Sequence, residues 1–243
     1  MRPILRLTGF LCLATISFTS CQNIQGNGHV ITETRTVGSF HSISAKGAMD
    51  IYLIPVTSNT GDYQIKLEGE SNVLQYIETR VDGGTLVLDT KSGFSVNSHG
   101  DLKAYINVPQ LDNVNLYGSG DLIGKDTLFS DNKMNIGLYG SGDVKVAIHA
   151  PEIESNLLGS GKVDLAGYTQ DLSVSITGSG DYQGQNLKSE NAKISILGSG
   201  DATVYASVKL DATIMASGDV YYYGNPGTVT KDVKGSGDVT KKD

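Results

Sequence analysis

The stretch Gly178-Ser179-Gly180-Asp181 decides the fold, because close copies of it recur through the second half of the chain. The copies start at Gly118, Gly140, Gly159, Gly178, Gly198, Ala216 and Gly235. Their first positions are separated by 22, 19, 19, 20, 18 and 19 residues. A period that drifts by one or two residues indicates a stacked repeat, since each coil must keep its core register while its turns vary in length.

Aligning the copies on their first residue reveals columns of apolar side chains. Two residues before the tetrapeptide stand Leu116, Leu138, Leu157, Ile176, Ile196, Ile214 and Val233. Four residues before it stand Val114, Ile136, Ser155, Val174, Ile194, Ala212 and Lys231, and directly after it Leu122, Val144, Val163, Tyr182, Ala202, Val220 and Val239. These columns alternate with polar residues at a period of two, which predicts short strands with one face in a continuous core.

The tetrapeptide itself predicts a turn, because glycine tolerates positive φ and aspartate can accept hydrogen bonds from nearby backbone N–H groups. A propeller blade needs roughly 40 residues, and a β-sandwich rarely repeats the same turn residues. The sequence therefore predicts an all-β fold, a single-stranded parallel β-helix (solenoid) with rungs of about 20 residues. Seven such rungs would span roughly 34 Å.

Weaker echoes of the repeat occur nearer the N-terminus, at residues 26–31 and 47–52, with a more degenerate one at 69–72. The gap before Gly118 predicts a short helix near residues 71–80, a turn at Gly83-Gly84 and an elaborated loop. In the last copy, polar residues replace the apolar ones, namely Lys231, Lys234, Lys241 and Lys242. We expect this copy to be a polar cap on the open end of the solenoid.

The first 20 residues predict a secretory signal, with Arg2 and Arg6 before an apolar run and small residues before Cys21. The segment 18–21, Phe-Thr-Ser-Cys, resembles a bacterial lipobox, which implies that Cys21 becomes the lipidated, palmitate-bearing first residue of the mature protein. Cleavage as an ordinary secreted protein is the alternative. We therefore predict a signal peptide at 1–20, a tether and N-terminal entry at 21–36, and a β-helix domain with a polar cap at 37–243.

The charge of the chain argues against some partners. Its formal net charge is −7, and removal of the segment that holds Arg2 and Arg6 would make it more negative by two. Such a protein is not expected to bind nucleic acid or an anionic lipid surface by charge. The sequence leaves the oligomeric state open.

Several segments together resemble the head GIN domain family of Bacteroidota lipoproteins, which carries an auto-transporter adhesin label. They are the signal followed by Cys21, the segments 37–40 and 43–53, the step Val108-Pro109-Gln110-Leu111, and the tetrapeptide ladder that ends in residues 221–226, Tyr-Tyr-Tyr-Gly-Asn-Pro. The resemblance extends from about Val37 to the C-terminus. It implies a right-handed β-helix, and it brings no functional residues with it.

The aspartates of the tetrapeptides are the first candidates for a site. Asp121, Asp143, Asp181, Asp201, Asp219 and Asp238 would stack one rung apart, and such carboxylates must be solvated, hydrogen-bonded or bridged by a cation such as Ca²⁺. Lys162 interrupts the row, so a role in stabilising turns is the preferred interpretation and no metal site is predicted. The four histidines show no zinc spacing or nucleophile pairing, so no catalytic residue and no cofactor are predicted.

Tyrosines are the better candidates for a binding surface. Tyr117 and Tyr139 should point outward beside their turns, and Tyr221, Tyr222 and Tyr223 cluster near the C-terminal end. Tyrosine offers a stacking surface with a polar tip, which suits glycans and protein surfaces. The alternative is that these residues only cover the outer face of a strand.

Three functions remain open from the sequence. The first is a lipid-anchored binding or adhesion module of the cell envelope, without catalysis, that contacts a surface glycan or protein. The second is a structural or sensing periplasmic lipoprotein. The third is a glycan-active β-helix enzyme, which would need two carboxylates about 5–10 Å apart in a cleft. Residues 22–25 lack an acidic run, which favours an outer-membrane lipoprotein and leaves its periplasmic or surface face open.

Overall fold

The protein is an all-β molecule in which 70% of the residues are in strands and 2% are in a helix. A computed structural model describes residues 21–56 and 61–243, so the predicted signal peptide lies outside the described residues. In chain order, the N-terminal elements are β1 (Gln22–Gln25), β2 (Val30–Gly38), β3 (Ser42–Gly47), β4 (Asp50–Pro55), β5 (Asp62–Glu70), α1 (Ser71–Leu74), β6 (Ile77–Asp82), β7 (Thr85–Thr90), β8 (Phe94–Asn97) and β9 (Lys103–Val108).

The remaining strands belong to the regular repeat. They are β10 (Asn113–Gly118), β11 (Leu122–Gly124), β12 (Leu128–Phe129), β13 (Met134–Gly140), β14 (Asp143–His149), β15 (Glu152–Gly159), β16 (Lys162–Gly178), β17 (Asp181–Gly198), β18 (Ala202–Ala216), β19 (Val220–Tyr223), β20 (Thr228–Gly235) and β21 (Val239–Lys241). The long strands β16, β17 and β18 run through a bend, so that each contributes its first part to one layer and its last part to the other.

Two layers of parallel strands face each other across the core. Layer A holds the strands that end at the first residue of a tetrapeptide, and layer B holds the strands that follow the tetrapeptide. The register in layer A is kept from rung to rung, with Gly140 opposite Gly159 and Gly159 opposite Gly178. The predicted parallel β-helix is confirmed, as a β-solenoid of about 7 turns with rungs of about 19 residues.

The apolar columns fill the space between the layers as predicted. In the column two before the tetrapeptide, the residues from Leu116 to Ile214 are each at most 2% exposed. In the column after it, the residues from Leu122 to Val239 are each at most 1% exposed. Burial of one such aliphatic side chain contributes about 1.5–3 kcal/mol, so these stacked columns are the main source of stability.

The N-terminal end is built out of sequence order. Strand β3 pairs in parallel with β10 on one side and with β7 on the other, and β4 likewise lies between β11 and β9. The rung at this end consists of β7 and β9. It stacks on the rung of β3 and β4, which comes earlier in the chain. The echo at residues 47–52 is therefore a true rung, since Gly47 lies opposite Gly118.

The prediction that the other two echoes belong to the repeat was wrong. Residues 26–31 lead into β2, and residues 69–72 join β5 to α1, while β2 and β5 pair with each other in antiparallel fashion. The helix predicted near residues 71–80 ends at Leu74, because the chain turns back into β6 at Ile77. The predicted loop is instead a set of strands, with its turn at Gly83 and Gly84, both at positive φ.

Antiparallel strands and the short helix close this end of the core. Val73 and Leu74 of α1 are at most 1% exposed and cover the last rung. Arg35 of β2 fastens the helix in place, because its guanidinium donates to the carbonyls of Leu74 and Ile77 at 2.9 and 2.6 Å. The open apolar end is thereby protected from pairing with another molecule.

Residues 21–36 are folded against the body, which corrects the predicted tether. β1 pairs in parallel with β8, starting with Gln22 opposite Phe94, and the N–H of Gln22 donates to the carbonyl of Gly93 at 2.8 Å. β2 then pairs with β5 along its whole length. The sequence of this segment did indicate a strand, since β-branched residues recur at alternate positions of β2.

The C-terminal end has the predicted polar cap. Every residue of β20 is exposed. Lys231 stands in an apolar column, and its ammonium group donates to the carbonyl of Val239 in the last strand. A lysine at this position covers the end of the core with its aliphatic stem while its charge stays hydrated.

Candidate binding surfaces

The aspartates of the turns form a ladder of hydrogen bonds. The carboxylate of Asp181 accepts from the backbone N–H of Asp201 at 3.1 Å, that of Asp201 from Asp219 at 2.8 Å, and that of Asp219 from Asp238 at 2.8 Å. Asp121 and Asp143 continue the ladder in the same way on the other side of Lys162. The aspartates therefore satisfy backbone donors between rungs, which accounts for their recurrence without a cation.

The aspartates of the ladder are not clustered with further metal ligands in the described part of the chain. Within residues 21–56 and 61–243, no group of three or more histidine, cysteine, aspartate or glutamate side chains is arranged to hold a metal ion. The part of the chain that the structure describes also contains no helix long and apolar enough to cross a membrane.

An apolar stripe runs along the outside of layer A, next to the turns. Tyr117 and Tyr139 stack with ring centroids 4.8 Å apart and an interplanar angle of 12°. Further along the same column, Leu158, Leu197 and Met215 are 51%, 55% and 44% exposed. Burial raises the pKa of the Tyr139 hydroxyl, so these stacked rings partly shield each other from water.

The outside of layer B carries a second stack near the N-terminal end. Tyr52 and Tyr105 lie 4.8 Å apart at 14°. Lys125 covers the ring of Tyr52 at 4.2 Å, and Lys66 approaches the ring of Tyr105 at 5.2 Å. Each ring already contacts a lysine and the other ring, so neither ring face is left open for a ligand. We therefore interpret this stack as structural.

The same layer carries an open cleft at its C-terminal end, with a volume of about 480 Å³. Strand β17 departs from the register of β18 between Gly184 and Lys188, so residues there project from the layer. On the next rungs, Gly224 and Asn225 turn the chain away after β19, and the last residues of the chain close the side. We call this the C-terminal cleft; Gln185, Lys188, Tyr205, Tyr223, Asn225 and Lys241 are part of its wall.

The polar groups of the C-terminal cleft are ordered by their neighbours. Lys188 lies over the ring of Tyr205 at 3.9 Å, and Lys241 donates to the side-chain oxygen of Asn225 at 2.7 Å. Tyr221 lies beside the cleft, where its hydroxyl donates to Asp219 at 2.9 Å and Lys242 covers its ring at 4.3 Å. The hydrogen bond to Asp219 raises the pKa of the Tyr221 hydroxyl.

A larger cavity of about 990 Å³ lies near the other end, where Phe40, Val56, Pro109 and Phe129 contribute to its wall. Val56 is the last residue before the stretch 57–60, which lies outside the described residues. Among the described residues that line each cavity, one is acidic, Asp243 in the cleft and Asp126 in the larger cavity. Neither therefore pairs two carboxylate side chains in the way that glycoside hydrolysis requires.

The predicted tyrosines do not form one surface. Tyr117 and Tyr139 lie outside layer A, whereas Tyr221 and Tyr223 lie outside layer B near the cleft. Tyr222 lies between them in the alternation and packs against the core, so it is poorly placed for binding. Cys21, the predicted lipidation site, is exposed and has a free thiol.

Sequence reasoning missed Tyr205, Lys188 and Gln185. The repeat contained a signal for Tyr205, because Tyr205 and Tyr223 occupy the same position of adjacent copies and lie opposite each other in the register. No comparable signal marked Gln185 or Lys188, since the bulge that presents them appears only once the rungs are stacked.

Comparison with known proteins gives a family match. A model of the family described as "Putative auto-transporter adhesin, head GIN domain" matches residues 39–226. None of the curated proteins compared with the chain matches it.

Solved structures from Bacteroidales share the fold. A structure described as a putative adhesin from Bacteroides fragilis is 27% identical and has a TM-score of 0.84; the match covers 90% of this chain and 100% of that one. A putative lipid binding protein from Parabacteroides distasonis is 24% identical with a TM-score of 0.76, and a putative adhesin from the same species is 20% identical with a TM-score of 0.70. Each of these two matches covers 91% of this chain and 100% of the other.

Proposed function

Because this chain belongs to the head GIN domain family, we propose that it is a lipid-anchored β-solenoid of the cell envelope that acts as a binding or adhesion module. The family resemblance noted in the sequence is confirmed by the match over residues 39–226. An adhesin family favours a binding module at the cell envelope over an enzyme. The anchor, the adhesive role and the ligand are parts of our proposal.

The proposed anchor is Cys21, which the lipobox-like segment before it supports. Cys21 precedes Gln22, which is already hydrogen-bonded to Gly93 in the body. A lipid on Cys21 would thus hold the protein by its N-terminal end with one residue of slack, which is about 3.8 Å of chain.

The observation that carries the proposal is the position of the C-terminal cleft at the end of the solenoid opposite Cys21. The cleft involves the last four strands of layer B, β17, β18, β19 and β21, and Cys21 lies beside the rung of β7 and β9 at the other end. The strands β9 and β19 are separated by seven inter-strand steps, which is about 34 Å. A stiff rod that is anchored at one end and carries a polar, aromatic cleft at the other suits presentation of a binding surface.

The first experiment locates the protein. Intact cells are treated with a protease and the chain is detected by blotting, before and after the outer membrane is opened. We expect digestion on intact cells, and we expect the Cys21→Ala variant to leave the membrane fraction. Protection until the outer membrane is opened would contradict the adhesive role and support the periplasmic structural or sensing alternative.

The second experiment asks whether the protein binds at all. The mature protein is applied to arrays of glycans and of envelope or host-surface proteins, with the heat-denatured protein as control. Specific binding to any array component supports a binding module. Absence of binding by a protein that is exposed on cells would overturn the proposal in favour of a scaffold.

A further inference from the structure

We infer that the C-terminal cleft binds an acidic oligosaccharide, a chain of sugars of which at least one carries a carboxylate. This inference rests on the proposed function as a binding module and specifies its ligand class. Three features of the cleft carry it: an uncovered aromatic ring, a buried acceptor without a partner, and a local excess of lysines on an acidic protein.

The aromatic ring belongs to Tyr223. Most other tyrosines on the outer faces are engaged: Tyr117 with Tyr139, Tyr52 with Tyr105, Tyr205 with Lys188, and Tyr221 with Lys242. Tyr223 makes no ring stack, cation contact or side-chain hydrogen bond with the rest of the described chain, although it lines the cleft. A flat ring with a free hydroxyl can stack on the apolar face of a sugar and bond to its hydroxyl groups.

The acceptor belongs to Gln185. Its side-chain oxygen is buried, and no hydrogen-bond partner for it exists among the described residues. An amide oxygen that is buried without a partner destabilises the protein, because its interaction with water has been lost. Gln185 lines the cleft, so a rotation of its side chain would turn this oxygen towards a sugar hydroxyl that could donate the missing hydrogen bond.

The charge of the cleft sets it apart from the rest of the molecule. Lys188, Lys241 and Lys242 line it, and Asp243 supplies the negative charge there. The whole chain, in contrast, has a formal net charge of −7. The ammonium groups of Lys188 and Lys241 are held in place by Tyr205 and Asn225, so they are positioned to pair with a carboxylate of a ligand.

The test uses isothermal titration calorimetry on the mature, lipidated protein in detergent. The probes are two matched pairs, tetragalacturonate with its methyl ester and sialyllactose with lactose, which differ in their free carboxylates. We expect at least one acidic probe to bind with a millimolar or lower Kd, and its neutral counterpart to bind at least about tenfold more weakly. Equal binding within both pairs, or no binding of either acidic probe, would overturn the inference.

Variants locate the site. Tyr223→Ala should weaken binding of the acidic probe at least about tenfold, and Gln185→Ala and Lys188→Gln should each weaken it several-fold. Tyr105→Ala, which removes a tyrosine from the structural stack at the other end of the same layer, is the matched control and should leave the Kd unchanged. If thermal unfolding shows that Tyr223→Ala is misfolded, Gln185→Ala and Lys188→Gln decide, and unchanged affinity in both would overturn the assignment to this cleft.

The array separates this inference from the proposed function. Binding of other glycans or proteins without any response to acidic sugars would overturn the ligand class and leave the binding module intact. Failure of the protein to bind anything on the arrays would overturn both.

Discussion

At the scale of single residues, both glycines of the tetrapeptide lie directly against the backbone of the previous rung. A Cβ on Gly198, at the first position, would lie 2.0 Å from the carbonyl oxygen of Gly178. The chain itself has Ala216 at the first position of one copy, at a φ of 142°. At the second position, a Cβ on Gly200 would lie 2.0 Å from the carbonyl oxygen of Gly180 in the previous rung. Met49 takes this position in the rung of β3 and β4, where the neighbouring connection, residues 91–102, is long and not a tight turn.

We predict that Gly200→Ala lowers the free energy of unfolding by about 1–3 kcal/mol, because backbone of two rungs must separate to admit the methyl group. Gly38→Ala is the control, since nothing lies within 4 Å of the Cβ that it would add. It should change stability by no more than about 0.5 kcal/mol. Thermal unfolding of both variants measures the difference, and similar decreases in Tm would contradict the proposed steric cause.

Glu70 is a buried carboxylate whose ionised form is stabilised by hydrogen bonds from its neighbours. Its side chain is 1% exposed, and its carboxylate accepts from the Ser98 hydroxyl at 2.6 Å and from the N–H groups of Gly28 and His99 at 2.5 and 3.1 Å. The hydrogen bond from Ser98, followed by those from the backbone, lowers the pKa of Glu70 to about 2. This carboxylate joins the segment after β1 to the segment after β8.

Stability should therefore depend on the ionisation of Glu70. Since its pKa is lowered from 4.5 to about 2, the contribution is fully present above pH 4.5 and is lost as the pH falls towards 2. Glu70→Gln should lower Tm at pH 7 and should reduce the fall in Tm between pH 4.5 and 2. Parallel Tm curves for the two proteins over this range would show that Glu70 does not contribute in this way.

At the scale of elements, the turn ladder links most neighbouring rungs through the carboxylate of one aspartate. The ladder changes at Lys162, where the N–H of Asp181 donates to the carbonyl of Gly161 and the N–H of Lys162 to that of Gly142. The backbone donors thus remain satisfied when the aspartate is absent. An aspartate in this position adds an acceptor and is not indispensable.

We predict that Asp201→Ala destabilises the protein by at most about 1 kcal/mol, because the N–H of Asp219 loses a charged acceptor and has only a backbone carbonyl or water to replace it. Asp201→Asn keeps an oxygen in the same place and should cost less. Added Ca²⁺ or a chelator should leave the Tm of all three proteins unchanged. A Ca²⁺-dependent rise in Tm that disappears in Asp201→Ala would instead establish a cation ladder.

At the scale of the whole molecule, the anchor and the cleft define an orientation. The connection from β7 to β8 lies beside Cys21, where Lys91, Ser92 and Gly93 are exposed. A lipid on Cys21 would bring this connection to the membrane surface. The last turn, with Ser236, lies at the opposite end of the solenoid.

A fluorescence measurement tests this orientation. Single probes are attached at Ser92→Cys or Ser236→Cys in the lipidated protein, reconstituted in vesicles whose headgroups carry a quencher. We expect strong quenching at position 92 and little at position 236, which lies roughly 34 Å or more away along the stack. Equal quenching at both positions in a vesicle-bound protein would show that the solenoid lies flat, whereas failure to bind vesicles would count against the anchor itself.

The sequence by itself determined the stacked architecture, its register and its polar C-terminal cap. This was possible because each rung repeats the same local chemistry: an apolar residue at every second strand position and a glycine where two backbones touch. The tetrapeptide of Gly178 and the column that contains Ile176 carry this information directly. The exposed position of Tyr117 also follows from the alternation alone.

Only the tertiary structure decided how the N-terminal end closes and where a ligand could enter. Strand β7 pairs with β3 although three strands and the helix lie between them in sequence, and such pairing depends on long-range packing that no local period records. The C-terminal cleft likewise arises from a bulge in one rung that meets shorter rungs beside it. Gln185 and Tyr223 therefore became neighbours of one cleft through stacking, although their sequence positions differ by two copies of the repeat.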